Sequence, residues 1–575
     1  MITENNLSPH AYGLPGESEL ESLANSLFAG EQASFDSAVC AQGIENLVTK
    51  GDTAVIERAA QKAEGFGGSY GNILSFSDYE NIAKSFTVAD IPVEPADVSS
   101  AAGGLSSSSA AVAQNGASGS TSSYSPTVVS QAQADEQDAH GNTITVSAAS
   151  EPKEQKLVDE RLSGSSAHTV IGTKTLEEIR SDFPILKERI NGNPLVWLDN
   201  GATTQRPKQV IDRLVYYYEH ENSNVHRGVH ELADRSTDAM EKARKTVADF
   251  IGAPSAENIV FVRGTTEAIN LVANAYVKQY LKPGDEIIVT LLEHHANIVP
   301  WQLIAAETGA VIKVAPIDAS GQIILSEYEK LFTPNTKFAA ATQVSNALGT
   351  ITPVAEMVQI AHRHGVRILI DGAQSVAHIP VNVSALDADF FVFSGHKIYS
   401  PTGVGVVYGK KEVLEAAKPY QGGGNMIKDV TFERTIYNEA PAKFEAGTAA
   451  IAQIVGLGAA LEYVSSIGIA DIGRYEHELT HYAMKEMSKI PGLHLVGTAT
   501  NKAGVLSFVM DGHDIFAIGE YLNQFGIAVR SGHHCAQPVL RSYGLEGTVR
   551  PTLAMYNSPE DVDTLVKALW TLSSK

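Results

Sequence analysis

The run Phe393-Ser394-Gly395-His396-Lys397 sets a lysine directly behind an apolar strand. About two dozen residues earlier, Asp371-Gly372-Ala373-Gln374 follows the apolar run 367–370. Asp371 and Lys397 therefore both stand at strand C-terminal ends, where open α/β sheets bind ligands. A lysine able to form a Schiff base, with an aspartate available to a pyridinium nitrogen, is the arrangement pyridoxal phosphate needs. Taken alone, the spacing is equally that of an ordinary strand-end lysine.

Other residues extend the same chemistry. Arg263-Gly264-Thr265-Thr266-Glu267 follows the strand 258–262 and opens a helix around 268–277. Its glycine permits a tight turn, and the hydroxyls of Thr265 and Thr266 with the free N–H groups suit a phosphate; a plain helix cap reads the same way. Ser394 and His396 flank Lys397 and can reach that phosphate. His294 and His295 follow the strand 286–290, where an imidazole stacks on a ring, transfers a proton or is simply buried. Arg530-Ser531-Gly532-His533-His534-Cys535-Ala536 holds the only cysteine after residue 170. Histidine and arginine neighbours favour a nucleophilic thiolate, whereas a small core cysteine is the plainer alternative. Adjacent residues cannot all face one ion, so His-His-Cys predicts no metal site. Arg550 offers a two-pronged grip on a carboxylate.

The elements that must hold these groups alternate. Apolar runs at 258–262, 286–290, 367–370 and 390–393 predict buried parallel strands. Amphipathic helices are predicted between them, for example over 236–251 and 354–364. This is the α/β pattern of helices on both faces of a mostly parallel sheet. From 471 onward the order reads helix, strand, helix, strand, helix, a smaller α/β lobe. The expected organisation is a docking segment over 1–97, a flexible linker over 98–170, a large domain over 171–470 and a small domain over 471–575. Residues 98–134 carry no charged side chain, and Ser, Ala and Gly dominate them; such a stretch cannot offset its ordering entropy by burial. Ahead of it, Leu20, Leu23, Leu27 and Phe28 recur at helical spacing, and 76–93 mixes aromatic and aliphatic residues. Short apolar patches of this kind suit a partner groove or one another. Residues 1–170 hold 22 acidic against 7 basic side chains, so this extension is the more acidic part of the chain.

Across all 575 residues, 66 acidic and 43 basic side chains argue against nucleic acid or an anionic membrane as partner. No uncharged apolar run reaches the length of about 18–20 residues that spans a bilayer. Two cysteines cannot build a disulfide framework, and Met1-Ile2-Thr3-Glu4 lacks a secretory signal's basic and apolar regions. A cytoplasmic location is the expectation.

Several runs in one order carry a resemblance. They are Leu198-Asp199-Asn200-Gly201-Ala202-Thr203-Thr204, Val225-His226-Arg227-Gly228, Phe261–Glu267, Glu293-His294-His295-Ala296-Asn297, Val344-Ser345-Asn346-Ala347-Leu348-Gly349, Asp371–Gln374, Ser394–Lys397, Phe444-Glu445-Ala446-Gly447-Thr448 and Arg530–Cys535. Residues from about 180 to 573 resemble a group II cysteine desulfurase of the sulfur-mobilisation type, with a class V aminotransferase-like fold. The resemblance implies an α/β pyridoxal-phosphate-dependent transferase of fold type I: a large domain with a mostly parallel sheet plus a small C-terminal α/β lobe, preceded by a largely disordered N-terminal extension. It implies that Lys397 holds the cofactor, that Asp371 pairs with the ring nitrogen, Gln374 with the ring hydroxyl, and that His294 stacks on the ring. Thr265, Thr266, Ser394 and His396 would bind the phosphate, with Thr448 supplied across a homodimer interface. Asn346, Arg530 and Arg550 would bind L-cysteine, and His226 and Arg227 would line the neighbouring subunit's site. Cys535 would take the sulfur as a persulfide, leaving L-alanine. The short loop Arg-x-Gly-x-x-Cys implies a sulfur-acceptor protein; L-selenocysteine is the alternative substrate. Pro551-Thr552 departs from the family's small residues and predicts a shifted helix start beside Arg550. The low-complexity extension resembles that of cargo enzymes of family 2 encapsulin nanocompartments and implies delivery into a protein shell; binding of a sulfur acceptor by the tail is the alternative.

Overall fold

A computed structural model describes residues 169–574, with Arg227 left out. The docking segment expected over 1–97 and all but the last two residues of the linker lie outside the described residues. Seven strands build the main sheet: β1 (Ile259–Val262), β2 (Glu286–Thr290), β3 (Val311–Ala315), β4 (Thr336–Thr342), β5 (Arg367–Asp371), β6 (Phe390–Ser394) and β7 (Gly405–Gly409). Their spatial order is β1-β7-β6-β5-β4-β2-β3. All pairs from β6 across to β3 are parallel, and β7 alone runs antiparallel to both neighbours. The apolar runs form strands because both sheet faces are covered: Ile368–Ile370 and Phe390–Phe393 are buried throughout.

Register decides what the sheet presents. Thr342 pairs with Asp371, and Asp371 pairs with Val392, so β4, β5 and β6 end side by side. A three-residue turn, Gly395–Lys397, follows β6 at once. The antiparallel β7 then starts with Gly405 opposite both Ser394 and Val262. There it presses on the loop after β1, and a Cβ on Gly405 would stand 2.4 Å from the Gly264 Cα.

The helices differ from expectation at their ends. The helix predicted over 236–251 spans Glu231–Phe250, because the His230 ring accepts from the Ala233 N–H and caps it early. The helix predicted over 354–364 spans Val354–Arg363. The helices Lys208–His220 and Glu231–Phe250 both pack on Ile451–Ile467. Among the described residues no single helix is long and apolar enough to cross a membrane.

The C-terminal part departs further. In place of two strands after 471 it holds a four-stranded antiparallel sheet of β8 (Leu493–Leu495), β9 (Phe508–Met510), β10 (Arg530–Gly532) and β11 (Thr548–Arg550), in the order β8-β9-β11-β10. Each strand has three residues, too few for an alternating pattern to register in sequence. Arg550 ends β11, so Pro551 opens no helix; its carbonyl instead accepts from the Leu506 N–H. The stretch before residue 200 joins this sheet's surroundings: Val196–Trp197 pairs in parallel with Ile527–Ala528, and Asp199 bridges to Thr552.

Gly405→Ala should lower stability by about 1–3 kcal/mol, because its contact is backbone and cannot rotate away. Chemical denaturation checks this, and an unchanged midpoint would show that β7 is free to shift.

Candidate active site

The strand ends make the floor. Asp371 is buried, and its Oδ1 accepts from the Ala373 N–H at 2.8 Å. Burial pushes its carboxyl above the usual range, while Lys397 pulls it back. Burial brings Lys397 down to about 8, against an upward pull from Asp371. The Ser394 hydroxyl accepts from the Thr265 N–H and hydrogen-bonds the Thr265 hydroxyl, both at 2.8 Å, so the two predicted phosphate segments meet. The His396 carbonyl accepts from the Thr204 N–H and from the hydroxyls of Thr203 and Thr204, which ties the lysine turn to the 198–204 run. The His396 ring is held neutral, down to about 4, by burial and then by Lys397 and Arg206.

His294 caps the turn after β2, its Nδ1 accepting from the Ala296 N–H at 3.0 Å. Burial, then Lys397, takes it down to about 3. A neutral ring with an accepting Nδ1 carries its proton on Nε2. Its neighbour Glu293 is fully buried; it accepts from the Thr290 hydroxyl, the Thr342 N–H and the Asn297 amide. Burial raises Glu293 to about 8. Gln374 donates through Nε2 to the Gly201 carbonyl at 2.8 Å.

The opposite wall belongs to the C-terminal sheet. Arg550 is buried and donates through Nη1 to the Asn346 carbonyl at 2.8 Å. Its Nη2 stands 3.7 Å from Asp199, and its Nε has no partner. Burial brings it down to about 10, with Asp199 opposing. Asp199 also pairs with Arg530 at 2.7 Å. The Asn346 amide donates to the His534 carbonyl at 2.6 Å, and its Oδ1 is buried without a partner.

Cys535 sits on a strained loop. His534 and Cys535 both take φ of 53°, in the left-handed region that side chains disfavour. Three groups hold the loop: the His533 Nδ1 accepts from the Cys535 N–H at 3.0 Å, the His295 N–H donates to the Cys535 carbonyl at 2.7 Å, and His534 Nε2 lies 2.8 Å from the Thr548 hydroxyl. The rings of His295 and His533 stack with centroids 5.8 Å apart.

One cavity of about 250 Å³ collects these side chains. Of the predicted site residues, Thr265, Thr266, His294, Asn346, Asp371, Gln374, Ser394, His396, Lys397, Arg530, Cys535 and Arg550 all line it. Thr448 and His226 do not: both are exposed, Thr448 lines two separate hollows, and His226 contacts Glu241. Arg227 lies outside the described residues. Among the described residues no group of three His, Cys, Asp or Glu stands ready for a metal ion. Asp199, Glu293 and the His295–His533 stack are the additions of the structure. Their positions sit inside the quoted runs, but a role for each follows only from its neighbours.

His534 gives a pH test. Burial, then Arg550, takes it down to about 3. As pH falls below about 6.5 the unfolded chain gains a proton that the folded ring refuses, so stability present above that pH is lost toward 3. Between pH 7 and 5 this amounts to at most about 2 kcal/mol. The urea midpoint of His534→Gln should fall less over that interval than the wild type's; equal slopes would show that His534 does not carry the effect.

Comparison with known proteins places the chain. The family model "Aminotransferase class-V" matches residues 196–565. A cysteine desulfurase of Synechococcus elongatus is 60% identical over 408 residues, covering 71% of this chain and 65% of the relative. A probable cysteine desulfurase of Mycolicibacterium paratuberculosis is 62% identical over 391 residues, covering 68% and 57%. The chain thus spans less than two thirds of the length of these two relatives. A cysteine desulfurase of Escherichia coli is 48% identical over 398 residues, covering 69% of this chain and 98% of its own. Among solved structures, the Escherichia coli cysteine desulfurase CsdA matches with a TM-score of 0.65 at 39% identity, and the cysteine desulfurase of Thermococcus onnurineus with 0.66 at 39%; each comparison covers 69% of this chain and 98% of the other. With the matched segment running from Val196, just ahead of Asp199, to Leu565 in the last helix, the chain belongs to the class V aminotransferase family.

Proposed function

We propose that this chain is a pyridoxal-phosphate-dependent cysteine desulfurase that converts L-cysteine to L-alanine and retains the sulfur on Cys535. One observation carries the reading: a single cavity holds a lysine lowered to about 8, a buried aspartate, a buried arginine and the one cysteine after residue 170. The residues present fit the cofactor. Asp371 is a buried carboxylate accepting from one N–H, an environment completed by a cationic ring N–H. The hydroxyls of Thr265, Thr266 and Ser394 line the cavity beside Lys397, as a phosphate requires. Asn346 Oδ1, Arg550 Nε and His534 Nδ1 are buried without partners, which is how a cavity awaiting a polar ligand is expected to look.

Pyridoxal phosphate, when bound, supplies an electron sink for the substrate's α-carbon. Lys397 would hold it through Nζ; once the substrate amine has displaced that nitrogen, the freed lysine amine, lowered by burial, would move the α-proton. Asp371 would keep the proton on the ring nitrogen. His294, neutral and with its proton on Nε2, would cover the ring without adding charge. Gln374 spends one amide hydrogen on Gly201 and has a second for the ring hydroxyl. Arg550 and Asn346 take the substrate carboxylate, with Asp199 setting the arginine's direction and Arg530 closing the rim. The Cys535 sulfur attacks the substrate sulfur: an S–S bond forms, the Cβ–S bond breaks, and the carbon takes up a proton to become alanine.

The proposal extends to the assembly. Thr448 and His226, exposed and away from this chain's cavity, reach the cavity of a second copy in a homodimer, together with Arg227. The short loop Arg530-Ser531-Gly532-His533-His534-Cys535 marks the group II form, which passes its persulfide to an acceptor protein. The segment 1–97, ahead of a linker that is uncharged over 98–134, directs the enzyme into an encapsulin-type shell in the cytoplasm; its short apolar patches support this.

Cys535→Ser should keep the cofactor's visible absorbance and lose sulfide release from L-cysteine in the presence of a thiol reductant. Full turnover in this variant sinks the assignment. Alanine release from L-cysteine and L-selenocysteine, measured side by side in the wild type, decides between the two substrates. Deleting residues 1–168 should leave alanine release intact and abolish co-purification with a shell; a truncated enzyme still found with the shell refutes the targeting role.

A further inference from the structure

Four successive carbonyls in the loop 346–349 each accept from a different group of the C-terminal part of the chain. The Asn346 carbonyl accepts from Arg550 Nη1 at 2.8 Å. The Ala347 carbonyl accepts from the Ser507 hydroxyl at 2.5 Å. The Leu348 carbonyl accepts from Lys502 Nζ at 2.5 Å, and the Gly349 carbonyl from the Ala503 N–H at 2.9 Å. Lys502 also donates to the Gly497 carbonyl at 2.7 Å. Gly349 adopts φ of 78°, and a Cβ there would stand 2.9 Å from the Ala503 carbonyl oxygen. Gly497 faces Leu348 as closely, at 2.7 Å. The loop and the segment 497–507 are therefore in contact on both sides of Lys502, backbone to backbone at Ala503 and through the Leu348 side chain at Gly497.

Lys502 is unusual in this setting. It is 4% exposed, and among the described residues it pairs with no carboxylate. Its amine donates to two main-chain carbonyls, and burial lowers it to about 7. A buried ammonium is costly unless its donors are used, so its presence calls for a reason in the loop it grips. That loop carries Asn346, whose side chain reaches the Cys535 loop through the His534 carbonyl and whose own carbonyl orients Arg550.

We propose that Lys502 is a positioning residue for substrate binding: by clamping the Leu348 and Gly497 carbonyls it fixes Asn346 and Arg550 in the geometry that receives the substrate carboxylate. Resting on the desulfurase reading, this assigns Lys502 to the grip on substrate and leaves the proton transfer at Lys397 and the sulfur transfer at Cys535 untouched. The amine has N–H donors for both carbonyls in either protonation state, so the clamp rests on geometry, and a loop that orients a bidentate arginine tolerates little play.

The test uses the full-chain holoenzyme. Lys502→Met keeps the apolar stem and removes the donors. Its KM for L-cysteine should rise about tenfold with kcat within about threefold, the signature of lost binding rather than lost chemistry. Lys502→Arg restores two donors and should bring KM back to within about threefold. A folded Lys502→Met with unchanged KM, or one that loses kcat while KM stays, overturns the proposal. If Lys502→Met does not fold, Ser507→Ala judges it by removing the neighbouring bond: KM raised about threefold supports it, and an unmoved KM refutes it. A wild type that releases no alanine from L-cysteine refutes the desulfurase reading instead. Hydrogen exchange of 344–351 then decides the clamp separately: exchange faster by about tenfold in Lys502→Met supports it, and equal exchange overturns it.

Discussion

Arg550 is a cation that the fold buries and only partly satisfies, and the cavity is arranged around that constraint. Its nearest carboxylate, Asp199, stands 3.7 Å away and is shared with Arg530, while its Nε has no partner. Removing one member of a buried charged set typically costs several kcal/mol, so the three segments meeting here cannot move independently. Asp199 comes from the stretch beside Ile527–Ala528, Arg550 from the end of β11, and Asn346 from the loop after β4. A guanidinium left short of acceptors in a polar cavity is an anion site in waiting. The same arrangement explains why the C-terminal sheet, with three-residue strands, stays in place.

On the other side of the cavity the main sheet does a different job. Parallel strands pair Thr342 with Asp371 and Asp371 with Val392, Ser394 lies two residues further along β6, and the turn after it brings Lys397 to the cavity that Thr342, Asp371 and Ser394 also line. Asp371 and Lys397 perturb one another through a poorly screening interior. Burial pushes the acid up and the amine down, and each draws the other back. Such opposed displacements are the mark of groups kept for chemistry. The Gly264–Gly405 contact serves this wall, because it lets Thr265 reach the Ser394 hydroxyl.

Between the two walls lies the Cys535 loop, the least relaxed backbone in the cavity. Two consecutive left-handed residues that are not glycine are held there by His533, His295 and Thr548. A thiol on such a loop is placed by its supports rather than by a rigid element.

Much of this was legible in the residues. Apolar runs marked β1, β2, β5 and β6, because strands buried on both faces need uninterrupted hydrophobic sequence. Lys397, Asp371, the Thr265–Thr266 pair and Cys535 stood out because chemistry restricts residue types at strand ends. The short strands β8 to β11, the early cap by His230 and the strand course of Arg550–Pro551 were not legible, since three residues carry no period and a histidine is an uncommon cap. Thr448 and His226, which the resemblance assigns to a neighbouring subunit's site, do not line the cavity of their own chain. Composition and local pattern determined the α/β class and the reactive groups, because both are written in residue type. Only the tertiary structure decided that Asp199 restrains Arg550, that Glu293 is buried among Thr290, Asn297 and Thr342, and that Lys502 grips the loop of Asn346. Those pairings join residues 150 or more positions apart, or depend on burial, and burial and distance exist only once the chain is packed.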